Sequence, residues 1–192
     1  WSESRISGPR RNAYQKIRDL FALSSDYDPT DTATQMFFAE TQNKLLYAVT
    51  DKTAAEIIVS RADASKENMA LTSWKGSIVR KQDIFIAKNY LNKDEIDTLN
   101  RLVVIFLETA ELRAKNRLDI PMSFWQENVD RILELSDKKL LTGKGSISTA
   151  KMEQKVREIY DEFNDRRKAY EADLADRQDI QEIENTIKKH KK

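Results

Sequence analysis

"NKDEIDTLNRLVVIFLETAELRAKNRL", residues 92–118, decides the fold class. Asn92 and Glu95 have the spacing of a capping box, in which the N-cap and N3 side chains each satisfy the other's backbone N–H. Behind this box Ile96, Leu99, Val103, Phe106, Leu107 and Ala110 recur at helical intervals and form a wide apolar face. A face that wide needs partners on several sides, so this stretch is expected to be the central helix of a helical core. Its apolar run is interrupted by Glu108 and Glu111. No run of about 18 apolar residues occurs anywhere, so no transmembrane helix is expected.

Upstream, "TATQMFFAETQNKLLYAVT" places Met36, Phe37, Glu40, Lys44 and Tyr47 at helical intervals, with Phe37, Leu45, Ala48 and Val49 as the buried stripe. Asp31 or Thr30 can cap it. An earlier helix is expected over roughly Arg10 to Ser24, with Ile17, Leu20, Phe21 and Leu23 inward; the loop "SSDYDPTD" follows, broken at Pro29. "TAAE" is a second capping box, Thr53 with Glu56, opening a helix through Ile57, Ile58 and Val59 to about Arg61. From Ala62 to Val79 the pattern is irregular, with room for one short helical turn. "KQDIFIAKNYL", residues 81–91, is expected to be helical again, with Ile84, Ala87, Lys88 and Leu91 on one side.

Downstream, Pro121 marks a break, and Ser123 with Gln126 suggests a third capping box. The helix after it carries Phe124, Trp125, Val129, Ile132, Leu133 and Leu135. "TGKGS" is expected to be a flexible junction. From Thr149 to about Lys189 there is no Gly or Pro, and apolar residues recur mostly at steps of 3, 4 or 7 from Met152 to Ile187. That describes one long amphipathic helix, with a break expected near "ADRQD". The fold class is therefore all-α: a bundle of about six helices with a long C-terminal amphipathic helix. Residues 1–142 form the expected helical core domain, and 143–192 a helix that packs along the core or pairs as a coiled coil.

The composition narrows the chemistry. The 33 basic and 32 acidic residues nearly cancel, so no global field draws this chain to nucleic acid or to an anionic membrane. With no cysteine, disulfides, thiol catalysis and thiolate metal sites are excluded. That suits a reducing cytosol, and a cytoplasmic location is expected. The single histidine, His190, lies in the terminal "KKHKK", which removes histidine triads and histidine-rich metal sites from the body of the domain. No motif indicates a cofactor, and no metal set is expected. Trp1 and the missing apolar signal core suggest a fragment whose true N-terminus lies upstream.

Candidate site residues cluster between 53 and 90. Glu56 could act as a general base, although its Thr-x-x-Glu spacing is already that of a cap. Arg61 and Asp63 could grip a phosphate, or end a helix and pair locally. Between Arg61 and Lys93 there are seven basic and three acidic residues, among them Lys66, Lys75 and Lys88. With Asn68, Trp74, Asn89 and Tyr90 these make a candidate ligand- or partner-binding surface, including one for nucleic acid. A solvated basic face is the simpler reading. "GKGS" at 143–146 lacks the spacing and preceding strand of a phosphate loop.

"FFAETQNKL", "TAAEIIVSRADASKENMALTSWKG", "IAKNYL" and "LNRLVVIFLETAE" together resemble the RhuM family of bacterial proteins, called virulence proteins and common on mobile elements. "YQKIRDLFALSSDYDP" and "YDEF" also fit its pattern, so the resemblance covers roughly Tyr14 to Phe163. It implies more chain upstream, with an N-terminal DNA-binding-like segment of winged-helix character, and makes this chain a C-terminal helical domain. No H-P-F-x-x-G-N-G-R motif is present, so the Fic-type transferase activity of some relatives is not implied. The sequence departs from the family pattern at four places. Leu46 stands where histidine is frequent, Asp51 and Ala70 where glycine is frequent, and Glu67 where proline is frequent. Losing that histidine weakens an acid–base enzyme. The expected function is a non-catalytic helical module of a DNA-associated accessory or regulatory protein, self-associating through its long helix. The alternative is an enzyme acting on nucleic acid or a phosphate-containing substrate through Glu56, Arg61, Asp63, Lys75 and Lys88.

Overall fold

A computed structural model describes residues 16 and 18–190. After a helical segment at 18–22 come α1 (Thr32–Thr50), α2 (Ala54–Arg61), 3-10 turns at Glu67–Ala70 and Ala87–Tyr90, α3 (Lys93–Lys115), α4 (Met122–Leu135) and α5 (Thr149–His190). No strand occurs among the described residues. The all-α architecture with a long last helix is therefore as expected. The first six residues of the helix expected at Arg10 to Ser24, together with Ile17 and the last two lysines, lie outside the described residues.

Three helix starts follow from local side-chain chemistry. Asp31 accepts the Thr34 N–H at α1. The Thr53–Glu56 and Asn92–Glu95 capping boxes open α2 and α3. The third expected box does not form: Pro121 is the N-cap of α4 and makes no side-chain cap bond. Proline fixes the entry angle and Ser123 is already inside the first turn. The Met122 N–H is instead satisfied by Asp26 Oδ1 at 2.7 Å, a cap supplied from 96 residues away.

The core centres on Trp125, fully buried on α4. Phe21, Phe106 and Phe124 surround its indole at centroid distances of 5.9, 6.0 and 5.0 Å, and Phe37 stacks obliquely on Phe21 at 5.3 Å. The leading segment, α1, α3 and α4 thus meet at one aromatic cluster. Leu46 and Leu102 are buried where the expected stripes omitted them, whereas Val49 and Leu107 are only half-buried. Leu135, expected inside, is 87% exposed because it falls on the last turn of α4, beyond the packed face. Lys44 on α1 meets Asp130 on α4 at 3.0 Å, tying the two helices together.

Residues 81–91 are not an α-helix. Asp83, 2% exposed, spends its carboxylate on backbone N–H groups: Lys75 to Oδ1 at 3.2 Å and Arg80 to Oδ2 at 2.9 Å. Asn89 Nδ2 in turn donates to the Asp83 carbonyl, and the Tyr90 hydroxyl donates to the Ile84 carbonyl. Asp and Asn side chains that bond nearby backbone compete with helix formation, and here they win. The apolar residues still turn inward, since Ile84, Ala87 and Leu91 are buried.

Asn68, Met69 and Ala70 all have left-handed backbones, with φ of 51°, 56° and 64°. Fully buried Met69 anchors the turn, and the Leu71 N–H to Asn68 carbonyl bond closes it. The C-cap of α1, Asp51, is also left-handed at φ 59°. Positions 51 and 70, where the resemblance leads glycine to be expected, therefore have backbones that favour it. An L-residue pays about 1–2 kcal/mol in this region and glycine gives back about 0.5–1 kcal/mol in the unfolded chain. Ala70→Gly is accordingly expected to stabilise the protein by about 0.5–1 kcal/mol, read from its urea midpoint. A lower midpoint would show that the Ala70 methyl contributes more than its strain costs.

α5 runs unbroken from Thr149 to His190, with no interruption at "ADRQD". Ser148 Oγ caps its start by accepting the Lys151 N–H. Met152 and Val156 are buried against the body, and Ile159 and Phe163 pack at its edge. Beyond them Tyr170, Ile180, Ile183 and Ile187 are exposed. Four i,i+4 ion pairs, ending with Asp173–Arg177, lace the solvated sides of this helix.

Candidate functional site

The candidate residues sit around α2, which packs against α1, α5 and the second 3-10 turn. Ile57 and Ile58 drive this helix inward. Its eight residues leave Glu56 at the start and Arg61 at the end.

Glu56 does more than cap. Oε2 accepts the Thr53 N–H at 2.8 Å, while Oε1 accepts both the N–H and the hydroxyl of Ser146 at 2.7 Å. The "TGKGS" junction is therefore latched onto α2 rather than loose. Gly145 lies so close that a Cβ there would sit 2.6 Å from Thr53 Cγ2, and its φ is +80°. No other residue fits that approach. The Ser146 and Thr53 amides hold the Glu56 carboxyl down to about 2. A depressed carboxyl stabilises the fold above its unfolded value of 4.5, and that contribution fades as pH falls toward about 2. Glu56→Gln keeps the shape but removes the charge. It is expected to cost about 1 kcal/mol at neutral pH and to flatten the stability profile between those two values. Urea titrations across that range check both; an unchanged acid slope would mean Glu56 is not the titrating group.

Arg61 is used as fully. Its Nη2 meets Glu95 Oε1 at 2.6 Å, and Nη1 meets Glu95 Oε2 at 2.7 Å and the Tyr90 carbonyl at 2.8 Å. The hydrogen bond to Glu95 raises the Arg61 pKa against the opposing effect of burial. Burial pushes the Glu95 carboxyl up, but Arg61 and the Asn92 N–H outweigh it and the net shift is downward. Sequence reasoning assigned Glu95 only to its cap and missed this second role.

Asp63 accepts the N–H and hydroxyl of Ser65, a local turn that holds its carboxyl below the usual range. Asn89 is buried; it takes the Ser73 hydroxyl on Oδ1 and gives Nδ2 to Asp83. Tyr90 is buried too, and burial pushes its phenol upward. Trp74 packs half-buried against the core, and Lys88 is half-buried. Asn68 lies in the left-handed turn, while Lys66 and Lys75 are exposed. The structure thus joins Arg61 to Tyr90, and Asn89 to the 73–83 loop, through structural bonds. Asp83, the hub of that loop, went unnoticed in the sequence; an acid inside "DIFIA" was its one signal.

No group of three or more acidic or histidine side chains placed to hold a metal occurs among the described residues. A shallow groove runs along α5 at Asp179, Glu182, Ile183, Thr186 and Ile187, and none of the candidate residues lines it. Among the described residues no helix is long and apolar enough to cross a membrane.

No curated protein and no solved structure matches the chain. The family model described as virulence protein RhuM family matches residues 3–171. That span takes in α1 to α4, the latched junction and the core-packed part of α5, and the chain belongs to the virulence protein RhuM family.

Proposed function

We propose that this chain is a non-catalytic helical module of a DNA-associated accessory or regulatory protein, serving virulence by binding rather than by chemistry. The observation that carries this reading is how the candidate chemical groups are used. Glu56, Arg61 and Asp63 each spend their charge on capping, an ion pair or a local turn. What faces solvent is a basic loop region and the distal half of α5, with Ile180, Ile183 and Ile187 exposed at 58%, 60% and 50%. An apolar stripe continuing past the body of a domain suits self-association.

Truncation after Arg167 removes the exposed stripe and keeps Met152, Val156 and Phe163 on the body. The full chain is expected to sediment above its 22.3 kDa monomer mass, and the truncated chain at its own monomer mass with melting little changed. A full chain that stays monomeric across a wide concentration range would remove self-association from the proposal.

The strained turn at 68–70, between exposed Lys66 and Lys75, favours a second reading: an enzyme acting on nucleic acid or another phosphate-bearing substrate. Lys75→Ala in the full-length protein separates the two. Turnover of such a substrate, lost with unchanged melting, would replace the binding module with an enzyme.

A further inference from the structure

We propose that the loop between Lys75 and Lys81 is a rigid, sequence-independent contact for the phosphate backbone of duplex DNA. This rests on the DNA-association reading above and assigns that association to a surface of this domain.

The loop is closed from inside. One buried carboxylate, Asp83, binds the backbone N–H groups at both ends, Lys75 at 3.2 Å and Arg80 at 2.9 Å. Two N–H groups on the two oxygens of one carboxylate bring the two strands of the loop to a common neck. The side chains of Lys75 and Arg80 therefore leave from neighbouring points, and Lys81 follows directly. All three residues are exposed. None has a side-chain ion pair or hydrogen bond among the described residues. The acid nearest in sequence after the loop, Asp83, is turned inward and consumed by amides. Between Thr72 and Gln82 the sequence holds three bases and no acid.

The tip is open as well. Gly76 has φ +87° with nothing within 4 Å of where a Cβ would be, and Ile78 beyond it is 42% exposed. The neck is buttressed on its far side by Asn89, which receives Ser73 and donates to the Asp83 carbonyl. The result is a fixed platform carrying flexible cations. None of the three cations is held in a fixed geometry by a partner among the described residues, so they can follow a phosphate backbone without a base-specific alignment. Such a surface neutralises phosphates without reading sequence.

The test uses the full chain and a fluorescently labelled duplex of mixed sequence, with anisotropy measured over a salt series. Lys75→Ala, Arg80→Ala and Lys81→Ala together are expected to weaken binding at least tenfold at low salt. The same triple variant should reduce the slope of log affinity against log salt by about 2 to 3. The charge-matched variant with Lys115→Ala, Arg131→Ala and Lys189→Ala should leave affinity within twofold. Melting of both triples should match the parent, since each removed side chain is solvent-exposed. If the chain binds duplex and the loop variant binds equally well, the loop assignment is wrong while DNA association stands. If the chain binds no duplex at low salt, DNA association through this domain is itself wrong. Competition by polyglutamate as strong as that by unlabelled duplex would identify an acidic protein as the partner and overturn the assignment.

Discussion

Trp125→Ala is expected to cost about 3–5 kcal/mol, the range for removing a large aromatic from a packed core. Trp125 is fully buried, and its indole touches rings from the leading segment, α3 and α4. Its removal therefore leaves a void bounded by three separate elements, which cannot all collapse into it. A domain of this size has roughly 5–15 kcal/mol of stability in total, so the variant should be near unfolding at ordinary temperature. Trp125→Phe is the informative partner. The indole N–H has no hydrogen-bond acceptor among the described residues, so phenylalanine gives up little polar interaction and should cost under about 2 kcal/mol. Urea unfolding followed by far-UV circular dichroism measures both. A small loss for alanine would show that the core is centred elsewhere.

Arg61→Ala is expected to cost about 2–3 kcal/mol. The Arg61 and Glu95 side chains are 26% and 15% exposed, between a surface pair worth under about 1 kcal/mol and a buried pair whose breaking costs about 3–5 kcal/mol. The truncation leaves the Tyr90 carbonyl and the Glu95 carboxylate without their main donor. Without the guanidinium, burial acts on Glu95 with less opposition and its pKa rises. The variant should therefore lose less stability than the parent as acid is added, because a Glu95 carboxyl that is less depressed in the fold has less ionisation-linked stability to give up. Adding Glu95→Gln should recover part of the loss, because the uncompensated charge goes with it. If Arg61→Ala melts like the parent, the ion pair is not holding α2 to α3, and Arg61 returns as a candidate ligand-binding residue.

Periodicity and capping chemistry made α1, α2 and α3 legible before any coordinates, because their signals are local. Thr53 with Glu56, and Asn92 with Glu95, each state a helix start within four residues. What the sequence hid was consistently non-local. Asp26 caps α4 from 96 residues away, Ser146 completes the coordination of Glu56, and Glu95 serves Arg61 across 34 residues. The wrong helix at 81–91 has the same origin. Its apolar spacing satisfies a helical template, but Asp83 and Asn89 find backbone partners that no periodicity reports. The candidate site was legible as a neighbourhood only; which charges were spoken for depended on partners far along the chain.

The distal part of α5 also sets a distance. From Phe163, its last core-packed residue, to His190 the helix advances about 40 Å at 1.5 Å per residue. A tilt of about 10° at its base would sweep the tip through about 7 Å, given that length. The base is held by the Glu56–Ser146 clasp, by Gly145 seated against Thr53 and by Met152 and Val156 buried on the body, so a short anchored segment sets the aim of a rod several times its own span. Gly145→Ala, whose Cβ would collide with Thr53, would disturb this clasp directly, and any tilt that followed would be largest at the far end of the molecule.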